Sequence, residues 1–284
     1  MKKLIVNADD FGLHTCVNQA IIKGHMNGCI TSASIMPTGP AFEDAIHLAL
    51  KTPSLGVGVH LTLVSEKPLL SCQKVNSLVS SNGYFQKDHM AFIQKFLRKN
   101  IDLKEVYLEL SAQIEAVYQT GVKITHIDSH QHLHILPGII NIVIDLAKQY
   151  EIKAIRIPAE PYFFTGGYNA DIKRFISKCG LTFLSNLARN LVRKNHLMST
   201  QNFFGMLAGG NMFPVYFSNI IDTLPEGSSE IMIHPGINTN VLQEHFGWNY
   251  HWESELNAVM EKNILEKISN RHIQLCSFGA LVNE

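Results

Sequence analysis

Short runs rich in β-branched residues alternate with amphipathic stretches from one end of this 284-residue chain to the other. Residues 4–8, 30–36, 57–63, 122–128, 154–157, 230–234 and 273–277 read as strands. Residues 17–27, 41–51, 89–99, 139–150, 172–194 and 253–269 read as helices. The clearest helix sets Leu103, Val106, Leu110, Ile114, Val117 and Tyr118 at helical spacing, with Glu105, Glu109, Gln113 and Glu115 expected to face water. Such alternation favours a parallel sheet, and this many units suits an irregular, TIM-like β/α barrel better than an open doubly wound sheet. One domain over residues 1–284 is expected. Residues 160–215, which include Phe163, Phe164, Gly166, Gly167, Gly209 and Gly210, break the rhythm and are expected to form an insertion or loops over the barrel mouth.

Composition narrows the function classes. The chain is 46% hydrophobic and carries 24 Lys+Arg against 24 Asp+Glu, so nothing in its charge points to a nucleic-acid backbone or an anionic membrane. The apolar start, Leu4-Ile5-Val6, meets Asn7, Asp9 and Asp10 too soon for a secretory signal core, and no run approaches a membrane span. A cytoplasmic protein is expected. The odd set of Cys16, Cys29, Cys72, Cys179 and Cys276 shows no close pairing, so reduced and mostly buried thiols are expected. Histidine, at 14 residues, is the unusual number.

Polar residues cluster where the expected strands end, which in a parallel barrel is the active-site rim. The first strand ends in Asn7-Ala8-Asp9-Asp10-Phe11-Gly12, and a helix cap would need only one of those carboxylates. His60 shares a strand face with Gly58, which leaves room there. In Thr125-His126-Ile127-Asp128-Ser129-His130-Gln131-His132-Leu133-His134, an extended backbone would put His126, Asp128, His130, His132 and His134 on one side. That is too many imidazoles for packing, and it suggests a divalent metal with carboxylates orienting the rings. Arg156 and His234 each stand at a strand end before a break. Five strands therefore bring Asp9, Asp10, His60, Asp128, His130, Arg156 and His234 to one rim.

One carboxylate and two histidines from different strands make an open three-ligand site that can hold water and substrate as well as metal. The second carboxylate of Asp9-Asp10 can then act as a base, and a protonated His234 can donate to a leaving nitrogen. This describes amide or ester hydrolysis without an acyl-enzyme. No nucleophile elbow and no phosphate-cradling glycine loop is present.

At these positions the sequence resembles the YdjC-like carbohydrate deacetylases, the family that includes chitooligosaccharide deacetylase. The likeness rests on Asn7-Ala8-Asp9-Asp10-Phe11-Gly12, Thr31-Ser32, Gly58-Val59-His60, the 125–134 motif, Arg156-Ile157-Pro158 and His234-Pro235-Gly236. It implies a β/α barrel related to polysaccharide deacetylases, and removal of acetyl groups from N-acetylated sugars. It places metal ligands on Asp10, His60 and His130, the base on Asp9, the acid on His234, and the orienting cation for Asp9 on Arg156. Exchange of the two aspartates is the alternative.

Asp128, His132 and Trp248 are expected to contact substrate or support the ligands, with His126 and His134 behind them. His245, Trp248 and Trp252 either stack on a sugar face or form an aromatic core patch. His14, His25, His47, His89, His196 and His272 are expected to be ordinary. The resemblance names magnesium (Mg2+), whereas two imidazoles and one carboxylate suit zinc (Zn2+) or another divalent transition metal better. It also hints at a homodimer. Two other readings compete. A barrel metallohydrolase of phosphate esters, or a metal-dependent sugar isomerase, would use the same ligands, although a phosphate substrate should bring more Lys or Arg to the rim than Arg156. A metal- or sugar-binding protein without catalysis is the third, and Asp9 discriminates it.

Overall fold

The computed structural model describes residues 1–282. Its centre is a parallel sheet in the order β4-β3-β2-β1-β6-β5. The strands are β1 (Lys2–Phe11), β2 (Ser32–Ile35), β3 (Gly56–Leu61), β4 (Ile124–Ser129), β5 (Asn202–Phe204) and β6 (Gly227–Ile233), with β7 (Gln274–Leu275) pairing onto β1. Parallel bridges Ile127↔Ile155 and Ala154↔Met198 continue the sheet beyond β4 toward the segment that enters β5. The result is the irregular β/α barrel expected from the alternation.

The expected strand at 154–157 is thus reduced to isolated bridges, the one at 273–277 to two residues, and β5 had no counterpart in the sequence reading. Helices α1 (Thr15–Asn27), α2 (Phe42–Lys51), α3 (His89–Leu97), α4 (Leu103–Tyr118), α5 (Ile139–Gln149) and α6 (Ile172–Lys194) fall close to their expected places. Two unanticipated helices follow, α7 (Pro214–Thr223) and α8 (Thr239–Phe246). The expected helix at 253–269 is two, α9 (Trp252–Met260) and α10 (Lys262–Asn270), because Glu261 is extended at ψ 124°. A short α11 (Phe278–Val282) closes the described chain.

The two faces of each central strand differ in chemistry. Leu4, Val6 and Ala8 of β1 join the main apolar cluster, which contains residues of the surrounding helices. Ile5 instead packs with Ala154, Cys276 and Phe278 in a second, smaller cluster. Along the same inward side, Asn7 and Asp9 follow Ile5 at period two. The barrel interior is therefore apolar at one end and polar at the rim end. Phe278 stacks on His126 with ring centroids 4.0 Å apart, and a Cβ at Gly58 would sit 2.4 Å from that ring. The space that Gly58 leaves is filled by His126.

α4 departs from its expected amphipathic pattern. Glu109 and Gln113 are fully buried. Glu109 accepts the Leu69 and Leu70 backbone N–H groups, and Gln113 bonds both the N–H and the carbonyl of Thr62. They satisfy backbone groups after β3, while Leu103 and Tyr118 are exposed. All five cysteines are free, but only Cys29 and Cys276 are buried, and Cys72 is exposed. No helix among the described residues is long and apolar enough to cross a membrane.

Candidate active site

Adjacent residues of a regular strand face opposite sides of the sheet, so Asp9 and Asp10 should not share a site. They do because β1 is irregular at its end. Its register against β2 shifts between Ala8 and Phe11, and Asp10 adopts φ 65°, a left-handed conformation that is strained for a non-glycine residue. Gly12, at φ 102°, completes the reversal into α1.

Asp9 is held by Arg156. Nη1 donates to Oδ2 and Nη2 to Oδ1, each at 2.7 Å, and the Asn7 amide adds a 2.9 Å bond to Oδ1. The same guanidinium donates through Nε to Glu230 at 2.7 Å and approaches Asp128 Oδ2 at 2.6 Å. Arg156 is fully buried, so it is no surface charge. Burial opposes its charge, yet the three carboxylates hold its pKa well above the ordinary value. Glu230 has one oxygen without a partner. Burial raises its pKa to about 7 against the pull of Arg156.

Asp10, His60 and His130 come from three different segments, are all buried, and offer ligand atoms within 4.8 Å of one another. His60 Nδ1 donates to Asp128 Oδ1 at 2.8 Å. This fixes the tautomer and leaves Nε2 facing Asp10 Oδ1 at 3.4 Å. His130 Nδ1 lies 3.0 Å from the same Oδ1. Burial opposes the charged form of His60, but Asp128, Asp10 and Asp9 outweigh it and push its pKa up to about 10. The pocket thus draws positive charge to the point where the two imidazoles and Asp10 meet. A second trio, Asp9, His60 and Asp128, is equally compact. Its carboxylates, however, already accept from Arg156, Asn7 and Ser34.

The 125–134 motif is not extended throughout. β4 stops at Ser129, and residues 130–135 form a tight 3-10 turn with Gln131 and His132 at φ 55° and 58°. The expectation of five residues on one side of an extended strand therefore fails at His134, while His132 still reaches the cleft. His134 turns away and bonds Ser129 Oγ and the Arg156 carbonyl, at 2.7 and 2.9 Å. His126 bonds Ser34 and Thr125 below the rim. Burial lowers their pKa values to about 4 and about 3, so both rings are neutral supports. His132 is buried and lines the cleft.

His234 sits one residue past β6. Its backbone N–H donates to Glu255 Oε2 at 2.5 Å, while its imidazole Nδ1 lies 3.8 Å from that oxygen, an ion-pair distance, and makes no hydrogen bond. Burial disfavours its charge, but Glu255, then Asp10 and Asp9, shift its pKa upward overall. A cleft of about 660 Å³ opens over Asp9, His60, His130, His132 and His234, with Trp248 and Tyr250 beside them. Asp10, covered by the two imidazoles, does not line it. Trp248 stacks on His130 with centroids 5.7 Å apart. Trp252 is buried in the core, and His245 packs beside His14 and Phe246, so of the three aromatic candidates only Trp248 faces the cleft. His89, expected to be ordinary, borders the cleft and bonds Gln131.

Glu230, Glu255 and Tyr250 were not singled out from sequence. Glu230 shares the inward register of β6 with Met232 and His234, and a charge inside an apolar strand was its available signal. Glu255 lies on α9, and nothing at a strand end announces it.

The profile of the YdjC-like protein family matches residues 3–270. A carbohydrate deacetylase of Thermoanaerobacter pseudethanolicus is 30% identical over 99% of this chain and 100% of its own length. A carbohydrate deacetylase of Brevibacillus brevis is also 30% identical, over 98% and 99%. Among solved structures, an Enterococcus faecalis protein provisionally described as a cellobiose-phosphate cleavage protein superimposes with a TM-score of 0.77. It is 27% identical and covers 99% of this chain and 98% of its own.

Proposed function

Since the chain belongs to the YdjC-like family, we propose that it is a carbohydrate deacetylase that hydrolyses the acetamide of N-acetylated sugars or oligosaccharides. The observation that carries this reading is the pairing of two differently held carboxylates beside two converging imidazoles, with a third imidazole across the same cleft. Asp10, His60 Nε2 and His130 would hold a divalent cation, and their convergence on one carboxylate oxygen fits such an ion. Two nitrogens and one oxygen favour zinc or another transition metal over magnesium. A cation held there supplies Lewis-acid polarisation of the amide carbonyl and acidifies water.

Asp9 is the general base. Its Oδ1 is saturated by Arg156 and Asn7, whereas Oδ2 accepts only from Arg156 and keeps a lone pair for a water proton. Arg156 fixes the plane of the Asp9 carboxylate, and the buried Glu230 and Asp128 fix Arg156. His234, whose pKa Glu255 helps to raise against burial, donates to the leaving nitrogen, so the amine departs neutral. Trp248 and Tyr250 offer aromatic faces for a sugar ring.

A phosphate substrate is less well served. Arg156 is enclosed by carboxylates, Lys178 spends its ammonium on the carbonyls of Pro161, Tyr162 and Phe164, Arg174 donates to the Tyr168 hydroxyl and the Gly209 carbonyl, and Lys87 at the cleft lies 3.8 Å from Asp88. The decisive assay measures acetate released from a panel of N-acetylated sugars by metal-stripped protein and after each divalent ion is restored. Release restored by one ion and lost in Asp9→Asn, with ion binding intact, is the expected result. Full activity in Asp9→Asn ends the assignment.

A further inference from the structure

The cleft is not chemically uniform. Its floor carries the histidines, Asp9 and both aromatic faces. Six aliphatic side chains, Met90 and Ile93 from α3, Leu133 and Leu136 at the turn that follows His130, and Leu181 and Leu184 from α6, form an apolar arm of the cleft, bordered on the same segments by Lys87, Asp88, His89, Arg174, Ser177 and Lys178. A pyranose ring needs polar partners for its hydroxyls or an aromatic face, and these six side chains offer neither. An alkyl chain needs only apolar surface. One cavity joins the two halves, so a single molecule with a sugar at one end and a chain at the other can fill both.

The α6 wall supplies a separate observation. Gly180 borders the cleft in the interior of a 23-residue helix, where glycine costs stability. A Cβ there would meet nothing within 4 Å, so no neighbouring group requires glycine. Gly180 is exposed, next to the half-buried Leu181 at the cleft border.

We propose that this arm accepts the acyl chain of the substrate, so that the protein removes acyl groups longer than acetyl from N-acylated amino sugars. The inference rests on the deacetylase reading and extends it to another substrate class. The chemistry is the same hydrolysis. Water oxygen bonds to the acyl carbon, the C–N bond breaks, a proton goes to the nitrogen, and the products are a fatty carboxylate and the free amino sugar.

The test is a series of N-acetyl-, N-butanoyl-, N-hexanoyl- and N-octanoylglucosamine assayed for released amine with the metal-loaded protein. We expect kcat/KM to rise along the series, approaching about fourfold for each methylene that the arm buries fully. Gly180→Leu places an alkyl side chain at the border of the arm, and it should flatten or reverse the rise, lowering activity on the octanoyl substrate more than on the acetyl one. Acetate release with steadily falling activity on longer chains overturns the inference and leaves the deacetylase reading standing. Absence of amine release from every member of the series with every ion removes both. Faster cleavage of the octyl glycoside of N-acetylglucosamine than of N-octanoylglucosamine assigns the arm to a group on the other end of the sugar, which also overturns it. So does a Leu184→Lys variant that dissociates a dimer without altering chain-length preference, because a second copy would then cover the arm.

Discussion

Arg156 grips Asp9 through two parallel 2.7 Å hydrogen bonds in a place closed to solvent, while its Nε is spent on Glu230. A planar fork of this kind fixes both the position and the plane of the carboxylate, which a single ammonium cannot do.

Replacing Arg156 with Lys should therefore lower kcat by about a hundredfold or more, the scale expected when a reacting group is misplaced by an ångström. Stability should fall as well, since one ammonium cannot serve three buried carboxylates, and breaking such a cluster costs about 3–5 kcal/mol. Steady-state kinetics and thermal denaturation read the two effects separately. An unchanged kcat in a folded Arg156→Lys protein would remove Asp9 from the chemistry.

Glu255→Gln addresses the acid. His234 has its pKa raised in the fold, chiefly against burial and by Glu255. The alkaline limb of the kcat/KM profile, where His234 loses its proton, should move to lower pH in this variant. The stability effect has a definite sign. A raised pKa contributes stability fully below the unfolded value near 6.5, and the contribution is lost as pH rises through the folded value. The variant should thus be most destabilised relative to the parent in mild acid and least above the folded pKa. An unmoved alkaline limb would argue against His234 as proton donor.

Asp128→Asn tests how His60 is oriented. Asp128 receives the Nδ1 proton of His60 at 2.8 Å, so the variant should bind zinc about 10–100-fold more weakly by calorimetry. Circular dichroism controls for loss of the Arg156 contact. Equal affinity in a folded variant would dissociate Asp128 from the ligand set.

Glu230 makes a stability prediction independent of activity. Its pKa rises from the model-compound 4.5 to about 7 in the fold, so folding favours its protonated form. Stability is fully present below about 4.5 and declines as pH rises toward 7, by on the order of 3 kcal/mol. Glu230→Gln, which keeps an acceptor for Arg156 Nε, should flatten that decline. Chemical denaturation at pH 5 and pH 8 measures it: parallel pH dependence in both proteins would mean that Glu230 is ionised throughout.

The strand ends were readable because a polar side chain that interrupts an apolar run has to be placed somewhere it is satisfied. Asp9, Asp10, His60, Asp128, His130, Arg156 and His234 all announced themselves in that way, and the fold brings them together. Backbone excursions were not readable. Nothing in the residue types at 130–134 indicates that Gln131 and His132 turn left-handed, so period two was extended past the point where β4 ends. Apart from the α6 helix, residues 160–215 were similarly opaque. β5 is only three residues long, and the loop before α6 is tied by Lys178 and Glu160 to backbone groups rather than by an apolar pattern.

The kink at Asp10 has a consequence for how this chemistry is set. Because the groups assigned as proton acceptor and as cation ligand sit on consecutive residues, one rigid peptide plane separates their Cα atoms by about 3.8 Å. Their backbone spacing is inherited from covalent structure, so drift in the surrounding helices can tilt the pair but cannot pull its Cα anchors apart, and the left-handed Asp10 sets which way the two side chains face.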